Sequence, residues 1–281
     1  MPALSPLRPA PRLLWFSVAL SMLLVLTACG SGSTSDDPTA TSAPVASPTL
    51  APGDVSVDSL LDRIDAAWSG VTSMVATSWS GQYADPMQAI AATPPTDQMV
   101  IVEKVVKPSS RSISTSIGGV AVDDQLAVNG VVYFRGQSVT NAIAPFMDAS
   151  TWVQVDPTLV AEDSPVGQQL AYLTSPLAPP YGTVSDDLRS RGATQTGQAT
   201  VGGRTCDVYA FTDAAAGDEG IAYTLSLDSA GLPCSLTQSA GGYANVTTWT
   251  FNDLSIAITP PAGAISVTGT PASTTPTTTA P

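Results

Sequence analysis

Tyr223-Thr224-Leu225-Ser226-Leu227-Asp228-Ser229-Ala230-Gly231-Leu232-Pro233 decides the reading of this chain. Tyr223, Leu225 and Leu227 alternate with small polar residues, the period of two that puts one side of a strand in a core. Ser229-Ala230-Gly231 is turn chemistry, and Pro233 to Ser239 resumes as a second strand. Outward from this pair the same grammar repeats. Thr194 to Val201, Arg204 to Thr212, Ile221 to Asp228, Val246 to Phe251 and Ser255 to Ile258 read as further strands. Gly202-Gly203, Gly241-Gly242 and Asn252-Asp253 supply the turns. Tyr209 and Phe211 share a face, as do Trp249 and Phe251. Successive strands joined by short turns predict an antiparallel meander.

The first half follows the same pattern after one helix. Val57, Leu60, Leu61, Ile64, Ala67, Trp68 and Val71 form a helical stripe, with Asp54 or Ser56 as cap and Gly70 as stop. Thr72 to Tyr83, Met99 to Lys107, Arg111 to Ile117, Val120 to Val128, Gly130 to Arg135 and Trp152 to Asp156 read as strands, with a hairpin at Asn129-Gly130. A second helix is predicted from Asp163 to Ser175, stopped by Pro176. One early helix and one mid-chain helix beside a meander predict an α+β layout.

The termini speak of export. Arg8 and Arg12 precede the apolar run Leu13 to Leu26, fourteen residues long and too short to span a bilayer. It ends in Leu26-Thr27-Ala28-Cys29, which resembles the bacterial lipobox. That resemblance implies cleavage after residue 28 and acylation of Cys29. Each buried acyl CH₂ contributes about 0.8 kcal/mol, so two or three chains hold firmly. The expected organisation is a signal peptide over 1–28, an acylated flexible tether over 29–53, a folded domain over 54–261 and a disordered Thr/Pro-rich tail over 262–281. The Thr/Pro tails suit a glycosylated stalk or a bare linker equally.

Three stretches carry a second resemblance. Val201-Gly202-Gly203-Arg204-Thr205-Cys206-Asp207-Val208-Tyr209 is one, the Tyr223 to Pro233 stretch another. Thr248-Trp249-Thr250-Phe251-Asn252-Asp253-Leu254, with Ile256 and Pro260-Pro261 after it, is the third. Together they resemble the LolA/LolB-type half-barrel, in the style of mycobacterial lipoproteins of the LppX and LprG kind. The resemblance implies a curved antiparallel sheet, an incomplete barrel, with the N-terminal helix and the mid-chain helical insertion on its concave face. It also implies an apolar cavity for a lipid or acylated molecule, for which Trp79, Phe134, Trp152, Tyr209, Phe211, Tyr223, Leu225 and Trp249 are the candidate lining. The alternative is that these residues are a plain core and the protein an accessory or partner-binding lipoprotein of the envelope.

Little else points to chemistry. The 281 residues hold 10 Lys+Arg, 23 Asp+Glu and no His, net −13. Removing residues 1–28 leaves 8 basic residues and a net charge of −15, the wrong sign for nucleic acid. Without His there is no His-based triad or His-ligated metal, and no Gly-x-Ser-x-Gly, Ser-x-x-Lys or phosphate-loop pattern occurs. No enzyme activity and no cofactor are expected. The acidic pairs Asp123-Asp124, Asp186-Asp187 and Asp218-Glu219 read as solvated surface. In an exported domain Cys206 and Cys234 read as a disulfide, with two buried free thiols as the alternative. The expected partners are a lipid or acylated small molecule, the membrane through the Cys29 anchor, and an envelope protein. The expected location is the outer face of the bacterial cytoplasmic membrane.

Overall fold

The computed structural model describes residues 53–83, 86–91, 93–137, 147–180, 188–212 and 221–267. Cys29, Asp186-Asp187 and Asp218-Glu219 lie outside the described residues.

The described chain opens with a short strand, β1 (Gly53–Val55), and helix α1 (Val57–Trp68). Ser56 caps α1, its hydroxyl accepting from the Ser59 amide, and Val57, Leu60, Leu61, Ile64 and Trp68 form the buried face. Strand β2 (Ser73–Gln82), helix α2 (Pro86–Ala91) and strands β3 (Met99–Val106), β4 (Ser110–Ile117), β5 (Val120–Val128), β6 (Val131–Gly136) and β7 (Val153–Val155) follow. Helix α3 (Pro165–Thr174) starts at a Ser164 cap with proline in its first turn. The chain then runs through β8 (Gly192–Val201), β9 (Arg204–Thr212), β10 (Ala222–Asp228), β11 (Pro233–Ala240), β12 (Tyr243–Phe251) and β13 (Ile265–Val267).

The thirteen strands of the described residues join one sheet, in the order β1-β8-β9-β10-β11-β12-β2-β3-β4-β5-β6-β7-β13. Every neighbouring pair is antiparallel except β13 on β7. Strands β1 and β13 are the two edges, so the sheet is not closed. The Asn129-Gly130 turn has φ of 51° and 82°, the twist a two-residue hairpin needs.

Three expectations change. The fold is mainly β with minor helices rather than α+β, because the period of two dominates the chain and the described α-helices have only 12, 6 and 10 residues. Ser255 to Ile258 is not a strand: the Asp253 carboxylate accepts from the Ser255 amide at 2.8 Å, and this local turn takes the backbone out of the ladder. Residues 265–267, assigned to the tail, form β13. Strand β1 and helix α2 carried no sequence expectation.

Pairing across the ladder sorts side chains to faces, since directly paired residues lie on the same side. Leu225 pairs with Tyr209 and Leu236, and Trp249 with Ala76. All of these lie in one core cluster with the buried face of α1. Further along, Arg111 pairs with Ala127 and Ala127 with Val132. Val132 and Phe134 pack with Val166, Leu170 and Leu173 of α3. Helices α1 and α3 therefore share one face of the sheet. Helix α2 takes the other, where Ile90 packs with Val201, Cys206, Val208 and Cys234.

Candidate functional site

The structure divides the eight candidate lining residues into three groups. Tyr209, Phe211, Tyr223, Leu225 and Trp249 come together beneath α1, each at most 4% exposed. Phe134, fully buried, lies on the same face beneath α3. Trp79 and Trp152 are on the opposite face, Trp79 with Ala89 and Val246, Trp152 with Leu126 and Tyr133. The shared face thus unites six of the eight.

Helix α1 is fastened at its C-terminal end. Lys107 Nζ donates to the Trp68 carbonyl at 2.8 Å and sits 4.2 Å from the centre of the Trp68 ring. A cation there meets both the helix dipole and the ring. The indole N–H donates to the Leu177 carbonyl at 3.4 Å, and Phe251 meets the ring edge-on at 6.4 Å between centroids.

Helix α3 is held differently. Strand β3 places Glu103 on the shared face in the alternation Ile101, Glu103, Val105, and β4 pairs Arg111 with Val105. Arg111 is 5% exposed, and its Nε lies 3.1 Å from Glu103 Oε1. The guanidinium also donates to the Tyr172 carbonyl and to Ser175 Oγ at the C-terminus of α3, and it lies 4.4 Å from the Tyr172 ring centre. The Tyr172 hydroxyl donates to the Glu103 carboxylate, 3.1 Å from either oxygen.

Burial is the main influence on both acids of this trio. It pushes the Glu103 carboxyl above its usual range, against the smaller lowering effects of Arg111 and the Tyr172 hydrogen bond. Burial and the Glu103 charge likewise raise the Tyr172 phenol. The trio is a buried polar clamp between α3 and the middle of the sheet. It was missed in the sequence because Tyr172 is more than 60 residues from the Glu103–Arg111 hairpin pair. The available signal was a charge at an inward position of two otherwise apolar alternations.

Between these two packed regions the shared face is less covered. Met99 and Ile101 are half-buried there and alternate along β3, while the half-buried Ile113 packs against the α3 cluster. Two hollows open elsewhere on the surface. One of about 540 Å³ is lined by Asp124, Arg135, Gly136, Asp148 and neighbours. The other, about 400 Å³, is lined by Gln82, Tyr83, Gly241, Gly242 and Tyr243. Neither includes any of the eight candidates.

Asp123-Asp124 is not solvated surface as expected. Asp123 is 8% exposed, and Asp124 forms an ion pair with Arg135, because the pair sits inside β5 rather than in a turn. Cys206 and Cys234 form the disulfide, with Cα atoms 6.5 Å apart, tying β9 to β11 across β10. Among the described residues no group of three His, Cys, Asp or Glu could hold a metal, and no helix is long and apolar enough to cross a membrane.

No protein-family model matches the sequence, and no curated protein matches it. Solved structures do. This chain is similar in structure to the mycobacterial lipoproteins LppX and LprF. LppX from Mycobacterium tuberculosis is 8% identical at a TM-score of 0.43, over 72% of this chain and 98% of that one. LprF from Mycobacterium bovis is 11% identical at 0.42, over 75% and 100%. A Pseudomonas aeruginosa MucA/MucB complex contains a chain 13% identical at 0.36, over 71% of this chain and 58% of that one. The likeness agrees with the resemblance read from the sequence. At these identities and TM-scores it says nothing of ligand or partner, which rest on this chain's own residues.

Proposed function

We propose that this chain is a non-catalytic cell-envelope lipoprotein that binds the acyl chain of a lipid on the face shared by α1 and α3. The observation that carries the reading is the half-buried apolar pair Met99 and Ile101 on β3, beside the α3 cluster against which Ile113 packs, on a sheet whose edges do not meet. The helix-covered residues Phe134, Tyr209, Phe211, Tyr223, Leu225 and Trp249 form the apolar clusters on the same face. Trp79 and Trp152 take no part. An acyl chain of about sixteen carbons gains about 12 kcal/mol gross at about 0.8 per CH₂, before the costs of immobilising it. That is the scale at which exchange with a bilayer is close to neutral.

In this reading Cys29 carries the lipid anchor on the outer face of the cytoplasmic membrane. The 24 residues from Cys29 to Pro52 form a tether with a root-mean-square reach of about 27 Å, so the domain works close to the bilayer.

The test is mass spectrometry of the full chain purified from an actinobacterial host, first native and then denatured. Stoichiometric lipid that leaves on denaturation, beyond the covalent anchor, supports the reading and identifies the cargo class. A native mass accounted for by the acylated chain alone, with no uptake of added envelope lipids, overturns it. The second reading is then preferred: an accessory lipoprotein that binds an envelope protein and has a filled core. It is favoured by the near-complete burial of Tyr209, Phe211, Tyr223, Leu225 and Trp249 under α1.

A further inference from the structure

Ile117 and Val120 are large apolar side chains left in solvent, 44% and 67% exposed. They flank the Gly118-Gly119 turn of the β4–β5 hairpin, where φ is 59° and 75°. Glycine takes these values without strain, and they suit a two-residue hairpin turn. A Cβ on either glycine would meet no atom within 4 Å, so the tip stands clear of the described protein around it.

The register makes this tip part of the shared face. Met99 pairs with Ile117 and Ile117 with Val120, so the three side chains form one row across β3, β4 and β5. Met99 also begins the inward alternation Met99, Ile101, Glu103 and is half-buried. The row therefore carries the half-buried apolar pair of β3 out into solvent. Its surroundings are uncharged. Neither Gln98 to Val102 nor Ser112 to Val122 contains an acidic or basic residue, in a chain of net −13. Leu254 offers a contrast: it is 92% exposed at the opposite end of the sheet, but next to the Asp253 carboxylate.

We infer that the β4–β5 tip docks on a lipid bilayer, where the acyl chain enters the shared face. This rests on the acyl-binding reading and on the Cys29 anchor. A stable protein partner needs about 800 Å² on each side, and a narrow hairpin end offers a fraction of that. A bilayer takes each apolar side chain singly. The ladder stays paired up to Ile117 and Val120, so the tip brings few bare peptide groups to the lipid. Its lack of charge also spares it the repulsion that anionic headgroups exert on an acidic domain. The tether joins the sheet at Gly53, at the end opposite the tip. Its 24 residues extend to about 80 Å, against about 33 Å for a ten-residue strand such as β2. The anchored domain can therefore turn its tip to the membrane.

The test uses the full acylated chain in vesicles of phosphatidylcholine and phosphatidylglycerol in equal parts. A nitrobenzoxadiazole label is placed on the free thiol introduced by Val120→Cys or, separately, by Leu254→Cys. Doxyl-labelled phosphatidylcholine in the vesicles should quench the Val120→Cys label at least two-fold and leave the Leu254→Cys label unchanged. In Ile117→Ser/Val120→Ser, uptake of a fluorescent phospholipid from the same vesicles should slow at least ten-fold. The final amount bound should stay within about two-fold, and far-ultraviolet circular dichroism checks that the variant is folded. The inference is overturned if the Val120→Cys label is not quenched, if both labels are quenched equally, or if the double variant takes up lipid at the unaltered rate. Selective quenching with no lipid uptake by the unaltered chain upholds the docking and overturns the acyl-binding reading instead.

Discussion

The two halves of the shared face are built by different physics. Under α1, Leu60, Leu61 and Ile64 meet Tyr209, Tyr223, Leu225 and Trp249 in one continuous apolar cluster. Under α3 the apolar cluster is smaller, and much of the grip comes from the buried trio Glu103, Arg111 and Tyr172. Apolar packing is non-directional and cheap to keep dry. A buried ion pair must first offset the desolvation of both charges, so it adds little net stability while fixing one geometry. The difference assigns α1 to the core; in the lipid-binding reading proposed above, α3 is the element expected to lift from the face when a ligand enters.

Mutations can break that comparison. The largest effect is expected from Trp249→Ala, which empties the α1 cluster and should cost about 4 kcal/mol of global stability in denaturant unfolding. A cost under about 1 kcal/mol would mean that α1 is not core. Next is Arg111→Met, which removes the counter-charge of Glu103. Because the folded-state pKa of Glu103 is raised, the folded protein prefers the protonated acid, and stability falls as pH rises from the ordinary value of 4.5 through the folded one. Loss of Arg111 raises that pKa further. The deficit of the variant should therefore be small at pH 4 and about 3 kcal/mol at pH 7; a deficit equal at both pH values would contradict the role given to the trio.

Two smaller effects sharpen the picture. The disulfide closes a loop with a sequence separation of 28 on the opposite face, so replacing both Cys206 and Cys234 with Ala should cost about 3 kcal/mol or somewhat less. It should leave lipid binding intact. Ser56→Ala removes the α1 cap and should cost about 1 kcal/mol, read as a modest fall in thermal midpoint.

Much of the sheet was legible because its strands alternate. The Tyr223 to Ser239 hairpin and the α1 stripe fall within a residue or two of where the spacing put them. The cystine was legible from the expectation of export. Other features were not. Ile265-Ser266-Val267 is too short to show a period, and it becomes a strand only because β7 offers an edge. Ser255 to Ile258 has the composition of a strand but yields to the Asp253 turn. Facing was the larger gap. Trp79 and Trp249 look alike in sequence, and only the pairing of Trp249 with Ala76 puts them on opposite sides. The Glu103–Arg111–Tyr172 trio depends on three separate elements meeting, which no local pattern records.

Hydrogen exchange of the full chain, with and without added long-chain phospholipid, tests the central claim most directly. The account predicts that residues 57–68 exchange at the slow global rate in both conditions. Residues 165–174 should open faster without lipid, and lipid should slow exchange at 99–117 and change it at 165–174. Equal protection of both helices, with no change on adding lipid, would contradict it.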